Sequence, residues 1–101
     1  MTDRSWRLMQ GDTHVGTLLL DHIDQPWLHC RFTATAAWDS VRPVLAAWTQ
    51  AVESDDSNEL AVDEALEAVD ALQLALVAVA GSERIDDFLI HVEGDTARFR
   101  Y

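Results

Sequence analysis

The sequence predicts an α+β fold: a single layer of about five antiparallel strands, in the order βββ-αα-ββ, with a two-helix hairpin packed on one face. Three observations point there. Residues 5–35 read as three strands between short breaks, and Trp27 to Thr35 alternates apolar and polar side chains. Residues 41–79 switch to helical spacing, and residues 86–101 return to alternation around Gly94-Asp95. Strands grouped apart from a helix pair, with no βαβ alternation, argue against a parallel doubly wound sheet. The 101 residues suit one domain, 1–101. Folding at this size removes roughly 60–70% of the unfolded chain's surface from water, enough for one core without covalent staples.

The first strand is expected at about 5–10, and Gly11-Asp12 turns the chain. The second runs from about 13 to 20, where Gly16 suits a bulge or a close approach. Asp24-Gln25-Pro26 breaks the pattern again. In the third strand, about 27–35, Leu28, Cys30, Phe32 and Ala34 point one way. Trp27, His29, Arg31 and Thr33 point the other. Short turns between these strands suggest a meander.

The first helix, about 41–53, carries Val41, Val44, Leu45, Trp48 and Val52 on one stripe. Pro43 is tolerated in a first turn, so Ser40 as N-cap would place it third in the helix. A start near Ala36 would require a kink at Pro43. Ser54 to Asn58 reads as the loop. The second helix, about 59–79, buries Val62, Leu66, Val69, Leu72, Leu76 and Val79, and Gly81 suits its left-handed terminal residue. Its second half is apolar nearly all round, which predicts cover on more than one side.

The last two strands, about 86–93 and 96–101, form a hairpin. The covered face should take Leu8, Leu28, Cys30, Phe32, Phe88, Ile90, Phe99 and Tyr101. Val44, Leu45, Trp48, Leu66, Val69 and Leu76 should meet them from the helices.

Charge is the strongest functional signal. The formal net charge of −11 divides as −1 over residues 1–42, −9 over 43–83 and −1 over 84–101. No basic residue lies in the middle stretch. An acidic chain of this kind is a poor binder of nucleic acid or anionic membrane, which need a basic face. All seven basic residues are Arg, a bias that a GC-rich genome or high-salt adaptation explains without reference to function. No apolar run approaches the ~20 residues of a membrane span, and no apolar stretch follows Met1 as a secretory signal would. Cys30 is the single cysteine, so no internal disulfide forms. These features suit a cytoplasmic protein.

Individual chemical candidates fare poorly. His29 and Cys30 are adjacent on a strand and point to opposite faces, which argues against a thiol–imidazole pair. The four His, at 14, 22, 29 and 91, lack zinc-ligand spacing. His29 and His91 could meet only if their strands are neighbours. Asp56 and Asn58 are followed by Leu60 and no Gly, unlike a calcium loop. Phosphate loops and nucleophile elbows are lacking. No catalytic residue, metal or cofactor is assigned.

Two surfaces remain. Glu59, Asp63, Glu67 and Asp70 form an acidic stripe on the second helix. Like charges at this spacing cost roughly 0.2–0.5 kcal/mol per pair, and no Arg within the helix relieves them. A solvated face that aids solubility accounts for the stripe, as does a docking face for a basic partner or a second subunit. The uncovered sheet face should display Trp27, His29, Arg31, His91, Arg98 and Arg100, with Arg7 beside them if Leu8 faces the core. Scattered surface Arg is the simple account. Arg and Trp are also enriched at interface hot spots. The expectation is a non-enzymatic interaction, adaptor or chaperone-like module that pairs with a protein partner or forms a homodimer. The alternative is a small-molecule binder or enzyme using His29, His91, Arg31 and Arg98 in one pocket.

Overall fold

The computed structural model describes residues 4–53 and 59–101, apart from the side chain of Glu59. The elements are β1 (Ser5–Gln10), β2 (Thr13–Asp24), β3 (Trp27–Ala34), α1 (Trp38–Glu53), α2 (Glu59–Ala71), β4 (Leu74–Ala78), β5 (Arg84–Ile85), β6 (Leu89–Glu93) and β7 (Thr96–Arg100). The α+β class holds, but among the described residues the sheet has seven antiparallel strands instead of about five, in the order β5-β4-β1-β2-β3-β7-β6.

The sheet is curled. Trp6 on β1 and Phe99 on β7 are separated by β2 and β3, a lateral distance of ~14 Å in a flat sheet. Their rings meet edge to face with centroids 5.0 Å apart. The concave face holds the core: Trp6, Leu8, Val15, Leu18, Leu28, Cys30, Phe32, Leu74, Leu76, Ile90 and Phe99, closed by Trp38, Val41 and Leu45 of α1. Of the residues expected to be buried, Val79 and Val52 are 47% and 41% exposed, and Tyr101 is the clearest exception. It lies just past the end of β7, 65% exposed, and stacks on Phe99 from outside. Leu66 is only half-buried.

The main correction concerns residues 72–79. The expected helix 59–79 ends at Ala71, and Leu74–Ala78 is a strand paired with β1, Leu76 opposite Leu8. The apolar surround was the right observation on the wrong element. β4 lies between β1 and β5, so a short apolar run there is a buried strand, which local periodicity does not distinguish from a buried helix turn. The left-handed residue that ends α2 is Gln73, with φ 54°, not Gly81, which turns the chain between β4 and β5.

The first helix also starts earlier than expected. Thr35 begins it: its hydroxyl accepts from the Ala37 N–H at 3.3 Å, and its carbonyl accepts from the Trp38 N–H at 3.1 Å. Ser40 is not the cap; its hydroxyl donates back to the Ala37 carbonyl at 2.8 Å. Pro43 therefore sits inside the helix. The carbonyl it leaves without an N–H is that of Asp39, an exposed residue that water can serve. The expected loop at residues 54–58 lies outside the described residues.

Two bulges interrupt β2 and re-aim its side chains. Leu8 faces Gly16 while Met9 faces His14, so Val15 is an extra residue. Leu20 faces Cys30 while His22 faces His29, so Asp21 is another. Gly16 lies under Phe32, and a Cβ there would collide with the Phe32 ring, which makes it the close-approach site.

Candidate functional site

Antiparallel register places side chains of paired residues on the same face. Across the outer, convex face, the register aligns Ser5, Leu19, Arg31, Thr96 and Glu93 in one row. A parallel row carries His22, His29, Arg98 and His91. Asp24 with Trp27, and Arg100 with Leu89, lie beyond it. Arg84, Val77, Arg7 and Thr17 occupy the other end. Five of the seven Arg, at 7, 31, 84, 98 and 100, thus project from the outer face. The register turns Trp27, His29, Arg31, His91, Arg98 and Arg100 to this side of the sheet, where His91 is covered.

The geometry is densest around Trp27. The guanidinium carbons of Arg98 and Arg100 lie 5.6 and 5.7 Å from its ring centroid, close enough for attraction to the π-face. Arg98 also donates to the Glu53 carboxylate at 2.9 Å. That hydrogen bond, helped by the Arg98 charge, holds the Glu53 carboxyl below its ordinary range.

His91 departs from expectation. It sits on the outer face but is buried, because α1 wraps the β6 edge. The Trp48 indole donates to the Ile90 carbonyl at 3.1 Å and stacks on the His91 ring at 5.4 Å. The Thr49 hydroxyl lies 2.9 Å from His91 Nδ1. Burial lowers the His91 pKa, the Arg98 charge adds to this, and Glu53 opposes it.

His29 and His91 do not meet. β7 separates their strands, and Arg98 stands between them in the row, at a spacing of ~10 Å overall. Both nonetheless line one cavity of about 190 Å³, with Asp21, His22, Glu93 and Arg98. His22 was not expected here. Strand parity from Leu18 and Leu20 would send it inward, and the Asp21 bulge reverses that parity. It then stacks on His29 with ring centroids 4.6 Å apart and planes at 3°. The sequence gives no hint of the bulge, since Asp21 between Leu20 and His22 also fits regular alternation.

Cys30 packs in the core, where burial and then the nearby Asp21 charge push its thiol pKa up to about 12. It is an unreactive thiol. Among the described residues, no group of three or more His, Cys, Asp or Glu is arranged to hold a metal ion. No helix is long and apolar enough to cross a membrane.

The acidic stripe lies on the helix layer. α2 rests on α1, and Asp63, Glu67 and Asp70 are exposed without an ion-pair partner among the described residues. The side chain of Glu59 lies outside the described residues. Comparison with protein families, curated proteins and solved structures gives no match to this chain.

Proposed function

We propose that this protein is a non-enzymatic interaction module, of adaptor or chaperone-like kind, that associates with further copies of itself. The contact surface is the outer face around Trp27, His29, Arg31, His91, Arg98 and Arg100. Its complement is the acidic stripe Glu59, Asp63, Glu67 and Asp70 of a neighbouring copy. The observation that carries this reading is the segregation of charge. Five of the seven Arg lie on the outer sheet face, while the exposed acids of α2 lie on the helix layer.

Symmetry sharpens the reading. A two-fold contact through the outer face would set Arg against Arg. A contact of acidic helix on Arg-bearing sheet is head-to-face, and the two patches lie on different layers. Copies joined that way build rings or chains that grow with concentration, in place of a closed dimer.

Sedimentation velocity at about 0.1 M and about 1 M salt tests this, since the screening length falls from ~10 Å to ~3 Å. Association at low salt should disappear at high salt. The double variant R31E/R100E should abolish it, and E67Q/D70N should weaken it. Arg98 is spared in this design because it also ties down Glu53. A wild-type protein that stays monomeric at about 100 μM in low salt, where micromolar affinities are visible, overturns the reading.

A second reading rests on the cavity shared by His22, His29, His91 and Arg98. Asp21 and Glu93 on its rim, and the bond from Arg98 to Glu53, offset its positive charge. It suits an uncharged or zwitterionic small molecule better than an anion. Titration with free amino acids that moves none of these imidazole NMR signals would remove this reading.

A further inference from the structure

β6 is the outermost strand at one end of the sheet. The turn Gly94-Asp95 pairs Glu93 with Thr96. In a two-residue hairpin the flanking pair is hydrogen-bonded, and hydrogen-bonded pairs alternate from there. Glu93–Thr96, His91–Arg98 and Leu89–Arg100 are therefore bonded, and the backbone groups of Ile90 and Val92 point away from β7. The indole bond from Trp48 to the Ile90 carbonyl fits that phase. The N–H and C=O of Val92 have no corresponding partner among the described residues.

Val92 itself lines open space at the end of β6. Two cavities, of about 570 and 440 Å³, adjoin at Ala46 and Val92 between α1 and the end of β6. Together they form one groove beside α1 from Trp38 to Glu53. At 1.5 Å per residue the groove is ~22 Å long, the span of an extended segment of six or seven residues. Trp38, Pro43, Ala46 and Val92 give it apolar walls. Its rim carries Asp39 and Glu93, neither of which has an ion-pair partner among the described residues. Glu53 is held by Arg98, and Arg42 is the one cation on the rim among the described residues.

We propose that this groove binds an extended, basic segment of a partner protein, which adds to the sheet as an eighth strand at Val92. The Val92 N–H and C=O supply main-chain bonds, the apolar walls take alternate side chains, and Asp39 and Glu93 receive Arg or Lys. The net charge of −11 draws basic segments toward the surface in the first place. Such binding rests on the interaction-module reading but uses a different surface, so R31E/R100E separates the two. That variant should lose self-association and keep the groove.

The test is an NMR amide titration of the full chain with a heptapeptide that alternates Val and Arg. Binding should move the Val92, Ala46 and Gln50 signals and slow exchange of the Val92 N–H. Ala46→Phe, at an exposed helix position, should weaken binding at least tenfold by filling the groove. A peptide N-methylated at alternate backbone nitrogens should lose as much, and one with Glu in place of Arg should bind more weakly. No binding at millimolar peptide, binding that leaves Val92 unmoved, or equal affinity for Ala46→Phe would each overturn the proposal. Concentration-dependent shifts at Val92 without peptide, retained in R31E/R100E, would assign the groove to a second copy instead.

Discussion

α1 buries Trp38, Val41, Leu45, Trp48 and Thr49, whereas α2 buries none of its described side chains. Both helices carry an apolar stripe at helical spacing. The difference lies in the surface each one meets. α1 fills the concave side of the sheet and then wraps the β6 edge, where Trp48, Thr49 and Glu53 engage Ile90, His91 and Arg98. α2 leans on α1, with Val69 reaching the core from its last turns. Amphipathic period states which side of a helix is apolar, but not how much of it will be covered. The acidic stripe is tolerated on α2 because that helix is peripheral and its charges stay hydrated.

The largest effect that probes this contrast is truncation on each helix. Trp48→Ala removes a buried indole and its bond to the β6 edge, and should cost about 3–5 kcal/mol. Leu66→Ala on half-buried α2 should cost about 1 kcal/mol. Urea unfolding measures both, and equal losses would erase the distinction between the helices.

A smaller effect tests the seam between α1 and β6 by pH. The folded His91 pKa is lowered from 6.5, chiefly by burial. The unfolded chain therefore takes up the proton first. This contribution to stability is complete above about 6.5 and is lost as pH falls through that value toward the folded pKa. Thermal unfolding followed between about pH 7 and about 5.5 should show a declining melting temperature, and His91→Gln should flatten that slope. The Glu53 shift has the same sign but acts below its ordinary value of 4.5, so it does not confuse the window. A slope unchanged in His91→Gln would show that the seam does not control it.

The smallest effect concerns the end of α2. Gln73 occupies the left-handed region, which costs a non-glycine residue roughly 1–2 kcal/mol. Gln73→Gly relieves that cost and gives back part of it through the flexibility of the unfolded chain. A net gain of about 0.5 kcal/mol in urea unfolding is expected. A loss would mean that the Gln73 side chain contributes to the α2–β4 junction.

Much of the outer face was legible beforehand. Alternation from Trp27 to Thr33, and from Leu89 to Arg100, is a local property of a strand, so the face of Trp27, His29, Arg31, Arg98 and Arg100 followed from parity. Parity also placed His91, but not its burial, because that depends on an edge being wrapped by a helix some forty residues away. Parity failed at His22, since a bulge is one residue's departure from the pattern that parity assumes. Residues 74–78 failed for a related reason. Their identity as a strand depends on pairing with Trp6–Gln10, at the opposite end of the chain.

By itself the sequence determined the α+β class, the faces of the regular strands, the Gly94 turn, and the placement of the negative charge on the second helix. These are short-range matters of period, turn chemistry and composition, complete within a few residues. Tertiary structure alone decided the sheet order, its curl, the strand at Leu74–Ala78, the histidine row and the half-open edge of β6. Each of these depends on which distant segments lie side by side, and local patterns do not encode their partners.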